Sequence, residues 1–106
     1  MKAPIIVDEH GAATIFESVK DAERYLEAVD VENNEYIAYD SEGRLLRLIP
    51  TTPRITIRGA EQSPTHSPEL RTLLTNLLGY TGVPASSLRE ATLQELVEKA
   101  LEFKVI

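Results

Sequence analysis

The sequence predicts an α+β fold. An antiparallel sheet of about five strands, in the order ββαβββ, carries helices on one face, and two amphipathic helices close the chain. Three observations lead there. Short β-branched runs separated by turn residues occupy residues 3–58, a single stretch of helical periodicity interrupts them, and leucine stripes begin after residue 67. At 106 residues the chain is expected to form one domain, 1–106, because each half would be too small to bury a useful core.

APIIVD (3–8) and AATIF (12–16) read as a first hairpin turned near Gly11. Ser18 can then cap a helix, with Asp21 three residues on as a weaker partner. Val19, Ala22, Leu26 and Val29 share one face of that helix, which should end near Asp30. YIAYD (36–40), the turn SEG (41–43) and RLLRLIP (44–50) form a second hairpin, with Gly43 suited to positive φ. Residues 50–53, PTTP, interrupt the pattern. RITIR (54–58) then alternates, Ile55 and Ile57 inward and the arginines outward, as an edge strand would.

GAEQSPTHSP (59–68) is a loop or connector. Ser67 and Pro68 suit the cap and first position of a helix, and Leu70, Leu73, Leu74, Leu77 and Leu78 form its stripe, stopped by Gly79. After a short turn near 87–91, Thr92 and Glu95 make a capping box ahead of Leu93, Leu96, Val97, Ala100 and Leu101. Neither stripe lasts long enough for a coiled coil.

Charge is unevenly spread. The net charge is −6, yet all 11 acids of the first 49 residues lie between Asp8 and Glu42, where only Lys20 and Arg24 oppose them. That field repels nucleic acid and membrane phosphates and attracts basic proteins. No apolar run approaches the ~18–20 residues needed to span a bilayer. The start, MKAPIIVDEH, is too short in apolar residues for a signal peptide, whose apolar segment runs roughly 7–15 residues. A cytoplasmic location is therefore expected, and the absence of cysteine agrees with it and excludes disulfides and thiolate metal sites.

Catalytic and metal motifs are poorly matched. Asp30-x-Glu32-x-Asn34 opens like a calcium loop, but the required glycine and bidentate glutamate are replaced by Glu35 and Ser41. His10 and His66 are far apart in sequence and sit in loops, and the serines occupy caps and turns without a nucleophile elbow. Asp8-Glu9-His10 is the nearest approach to a catalytic cluster, but it reads better as an ordinary polar turn. No metal or cofactor is expected, and the chain does not read as an enzyme. Tyr25, Tyr36 and Tyr39, set among carboxylates, would suit a partner presenting Lys and Arg.

The run IFESVKDAERYLEAVDVENNEYIAYDSEGRLL (15–46) resembles small acidic immunity proteins of contact-dependent growth inhibition and related bacterial polymorphic toxin systems. The resemblance covers about a third of the chain and does not extend to residues 50–106. It implies a cytoplasmic binding protein that blocks one cognate toxin domain, often a nuclease. A basic nuclease groove and an acidic inhibitor are complementary, and that complementarity speeds association. No catalytic residues carry over. On chemistry, the expected partner-binding positions are Glu17, Asp21, Asp30, Glu32, Glu35, Tyr39, Asp40 and Glu42. A self-associating adaptor, joined through strand 54–58 or the leucine helices, is the alternative.

Overall fold

The computed structural model describes residues 1–102. Ten elements follow one another: β1 (Ile5–Glu9), β2 (Ala12–Phe16), α1 (Val19–Tyr25), α2 (Ala28–Glu32), β3 (Ile37–Tyr39), β4 (Leu45–Thr51), β5 (Arg54–Gly59), α3 (Ser67–Tyr80), α4 (Ala85–Glu90) and α5 (Leu93–Glu102). The strands form one antiparallel sheet in the order β2-β1-β3-β4-β5. The α+β class, the five strands and the helical C-terminal part are those the sequence predicts.

The sheet is covered more fully than expected, because helices lie on both faces and not on one. Ile5, Ile6 and Val7 of β1 are all at most 1% exposed, although successive strand residues point to opposite sides. Ile6, Ile15 and Tyr39 meet the leucines of α3 and the apolar face of α5. Ile5, Val7, Phe16, Ala38, Leu46, Ile55 and Ile57 meet Ala22, Leu26 and Ala28 from α1 and α2. Fully burying one aliphatic side chain is worth roughly 1.5–3 kcal/mol, so each layer contributes substantially to stability.

The helix expected over 18–30 is two helices. Its start is as expected, since Ser18 Oγ accepts from the Asp21 N–H at 3.1 Å. At Leu26 the backbone becomes extended (φ −76°, ψ 139°), and a second short helix begins at Ala28. The break turns Leu26 and Ala28 into the core together and leaves Val29 54% exposed, off the face the periodicity assigned it.

The first turn is His10–Gly11, with φ of 53° and 94°. Two consecutive positive φ values make the twist-matched two-residue turn of a hairpin. β4 runs through Pro50 and Thr51, which the sequence assigned to an interruption, and Thr52–Pro53 makes the turn into β5. Pairing of Thr51 with Arg54 around that turn leaves Pro50 in a pair that exchanges no hydrogen bonds with β5. Its missing N–H therefore costs this hairpin nothing.

In α3, Leu70, Leu73, Leu74 and Leu78 are buried as predicted, and α5 starts with the reciprocal Thr92–Glu95 bonds of 2.9 and 3.1 Å. Ser67 does not cap α3. Its hydroxyl donates to the Glu42 carbonyl at 2.8 Å, tying the helix start to the 40–44 turn.

Candidate protein-binding surface

β3 is only three residues long, and the acids on either side of it have different fates. At its entry, Asn34 takes a left-handed φ of 56°, and the Glu35 N–H donates to the Asp30 carbonyl at 3.0 Å. This reversal folds the end of α2 back beside the tip of the β1–β2 hairpin. His10 Nε2 meets Glu35 Oε2 at 2.5 Å, and the Tyr36 hydroxyl donates to Asp30 Oδ2 at 3.1 Å.

Asp30 and Glu35 are thus brought together at one end of the sheet, while Glu32 borders the groove between α2 and the β4–β5 turn. Glu9, at the end of β1, and Glu27, just ahead of α2, add negative charge around Tyr36 and raise its pKa along with Asp30. Burial is the largest cause of that rise, followed by the hydrogen bond to Asp30. His10 is also raised, first by its hydrogen bond to Glu35 and then by the charges of Glu35, Glu9 and Asp8. The side chains of His10 and Glu35 are 69% and 37% exposed, so water screens the pair.

At the exit of β3 the expected interface residues have structural roles. Tyr39 is 5% exposed and belongs to the core beneath α3, its ring centroid 6.4 Å from that of His66. Asp40 has no exposed surface. Its carboxylate accepts from the backbone N–H groups of Lys2, Glu42 and Arg44 at 3.1, 3.0 and 2.9 Å, and from Arg44 Nη1 at 3.2 Å. Burial opposes its ionisation, yet these donors outweigh burial and lower its pKa. Neither Tyr39 nor Asp40 is available to a partner. A carboxylate before a turn is a natural acceptor for the turn's amides, and that was the signal to read at Asp40.

Glu42 is part of the same turn, with Oε1 2.5 Å from Arg44 Nη1, and its side chain is 43% exposed. The neighbouring loop is ordered by Glu61, which accepts from the Leu45 N–H at 2.6 Å, from the Thr65 hydroxyl, and contacts His66 Nδ1 at 2.8 Å. Those bonds, Thr65 first and Leu45 next, hold the Glu61 pKa at about 2. Asp21, on α1, is half-exposed and lies 3.8 Å from Arg24. Glu17 is exposed on the link from β2 to α1.

Three comparisons, with protein-family models, curated proteins and solved structures, find no significant match to this chain. The surface must therefore be judged on its own chemistry. Among the described residues, no group of three or more His, Asp or Glu side chains is placed to hold a metal, and no helix is long and apolar enough to cross a membrane. His10 makes no hydrogen bond to any hydroxyl among the described residues. Two open grooves flank the acidic end. One, of about 520 Å³, runs between α2 and the β4–β5 turn past Glu27, Val29, Glu32 and Pro53, with Arg24 and Arg54 also on its walls. The other, of about 1060 Å³, lies between the hairpin tip and α3–α4 and is bordered by Tyr80, 93% exposed. Glu27 is not among the positions expected from the sequence, yet it borders this groove beside the exposed apolar Val29.

Proposed function

We propose that the chain is an immunity protein, a binding module that neutralises a basic toxin domain, expected to be a nuclease, by covering its active site or substrate groove. One observation carries the reading. Asp30 and Glu35 converge with Glu9 and Glu27 around Tyr36 and His10 at one end of the sheet, where His10 is the only ionisable base hydrogen-bonded to any of them among the described residues. Such a surface suits a phosphate-binding groove and steers its approach. Of the positions expected from the sequence, Asp30 and Glu35 form the centre, Glu32 borders the adjoining groove that Arg24 and Arg54 also line, Glu17 and Asp21 lie on neighbouring segments, and Glu42 stands apart.

The test is capture of partners from the native host at low salt, elution through a salt gradient and identification by mass spectrometry under conditions where toxins are expressed. One basic toxin fragment in equal amount supports the reading. Glu32→Lys with Glu35→Lys should then slow association at least tenfold at low salt, with the difference shrinking as salt rises. Unchanged association, or recovery of no basic protein, overturns it. The adaptor alternative is opposed by one contact at its proposed edge: Glu23 Oε2 accepts the Ile57 N–H at 2.8 Å, occupying the strand that would pair.

A further inference from the structure

Helices cover the two sides of the sheet to different extents. On one side α1 and α2 reach across to β5, where Ile55 and Ile57 are buried with Leu46. On the other, α3 and α5 bury Ile6, Ile15 and Tyr39 of the first three strands and pack against Leu45, the first residue of β4. Beyond Leu45 that side is bare among the described residues. Ile37 points the same way as Tyr39, and Arg47 and Ile49 the same way as Leu45, by strand alternation. The register sets Arg58 opposite Arg47 and Thr56 opposite Ile49. Ile37 is 47% exposed, and both arginines are exposed.

Like charges directly opposite each other repel, and Arg47 faces Arg58 in that way. Neither side chain makes an ion pair with any described residue. The acids bordering this side are engaged elsewhere. Asp8, paired with Ile37 in the register, accepts from the Gly11 N–H at 2.7 Å. Glu61 accepts from the Leu45 N–H at 2.6 Å and from the Thr65 hydroxyl. Arg54, the first residue of β5, shares its groove with Glu27 and Glu32 and stands outside the pair. Two adjacent guanidinium groups without a carboxylate call for an anion, and a carboxylate set between them accepts charge-assisted hydrogen bonds from both.

The surroundings select the kind of anion. Surfaces for single-stranded nucleic acid stack bases on aromatic rings, but here Tyr39 is buried under α3 and Tyr36 packs on the opposite side. What flanks the arginines is isoleucine, and arginine around an apolar centre is the composition of a protein interface. Width selects the shape. From β3 to β5 is two strand spacings, about 10 Å, which is close to the diameter of one helix. α3 occupies the adjoining strip, so a helix laid here continues an existing layer.

We propose that the bare side of β3, β4 and β5 docks an acidic amphipathic helix of a partner protein, its carboxylates between Arg47 and Arg58 and its apolar stripe on Ile37 and Ile49. This goes beyond the reading of a basic partner, because Tyr36 and the Asp30 it bonds belong to the opposite side of the sheet.

The probe is a helical peptide with a leucine stripe flanked by glutamates, compared with the same peptide carrying lysine at each glutamate. In NMR spectra of the full chain, the glutamate peptide alone should shift the Nε–H groups of Arg47 and Arg58 and the methyl groups of Ile37 and Ile49. Arg47→Gln with Arg58→Gln should fold as the parent does by circular dichroism, since both side chains are exposed, and should weaken binding roughly tenfold or more. Equal binding of the two peptides, binding unaffected by the double substitution, or no binding at millimolar peptide overturns the proposal. Tighter binding of an oligothymidine at the same resonances also overturns it and assigns the arginines to nucleic acid. Self-association in sedimentation velocity that the double substitution abolishes overturns it too, in favour of a second copy. Glu32→Lys with Glu35→Lys, the test of toxin binding, changes neither arginine, so failure of one reading leaves the other standing.

Discussion

Three glycines separate backbone strain from steric exclusion. Gly43 has φ of 91°, and a Cβ built on it would lie 2.6 Å from the Ser67 nitrogen, Cα and Oγ. The approach is close because the His66 N–H donates to the Gly43 carbonyl at 2.9 Å and Ser67 bonds to Glu42. Gly43→Ala therefore incurs about 1–2 kcal/mol for an L-residue in the left-handed region. Displacing α3's first turn adds a further cost of about 1–3 kcal/mol. Gly11→Ala, at φ of 94° with nothing within 4 Å of the added carbon, should incur the first cost alone. Gly79→Ala, within α3 and equally uncrowded, should be neutral or stabilising by up to about 1 kcal/mol. Urea denaturation followed by far-ultraviolet circular dichroism measures all three, since the chain has no tryptophan. The expected midpoint order is Gly79→Ala highest, then the parent, Gly11→Ala and Gly43→Ala. At about 4–8 °C per kcal/mol, Gly43→Ala should also melt 10 °C or more below the parent. A Gly43→Ala variant no less stable than Gly11→Ala would show that the turn does not hold α3, and would refute the reasoning.

Asp40→Ala leaves three backbone N–H groups and the Arg44 guanidinium short of an acceptor, and should cost about 3–5 kcal/mol by denaturant titration. Glu61 is held near pKa 2 from an ordinary 4.5, so its contribution is present above pH 4.5 and disappears as pH falls toward 2; Glu61→Gln should flatten stability across that window. The His10 pKa is raised, so its contribution is full below the ordinary value of 6.5 and fades as pH rises through the folded value. In an NMR titration Glu35→Gln should return His10 toward 6.5, and an unchanged midpoint would remove the pairing. Glu23→Ala uncovers the Ile57 amide, and faster exchange at that one N–H is the expected readout.

Local pattern sufficed wherever a few neighbouring residues settle the matter. Helical spacing identified the buried faces of α3 and α5, Thr92 and Glu95 supplied their own cap, and the alternation of RITIR defined an edge strand with Ile55 and Ile57 inside. Gly43 was correctly assigned positive φ, and the concentration of acid before residue 43 was plain from composition. Those features depend on contacts three or four residues apart or on covalent preference.

Tertiary packing decided the rest. The helix after Ser18 breaks at Leu26 because burying Leu26 and Ala28 against Ile55 and Ile57 outweighs continuous periodicity, a choice no local window contains. Two acids in the same run, Glu35 and Asp40, look alike in sequence. One is partly exposed beside His10, and the other is sealed under Lys2, Glu42 and Arg44, because β3 places them at opposite ends and only one end is closed by the 59–67 loop. The sequence by itself determined the fold class and the sign of the surface. Which carboxylates stay exposed and which are sealed depended on residues 25 or more positions apart meeting in space.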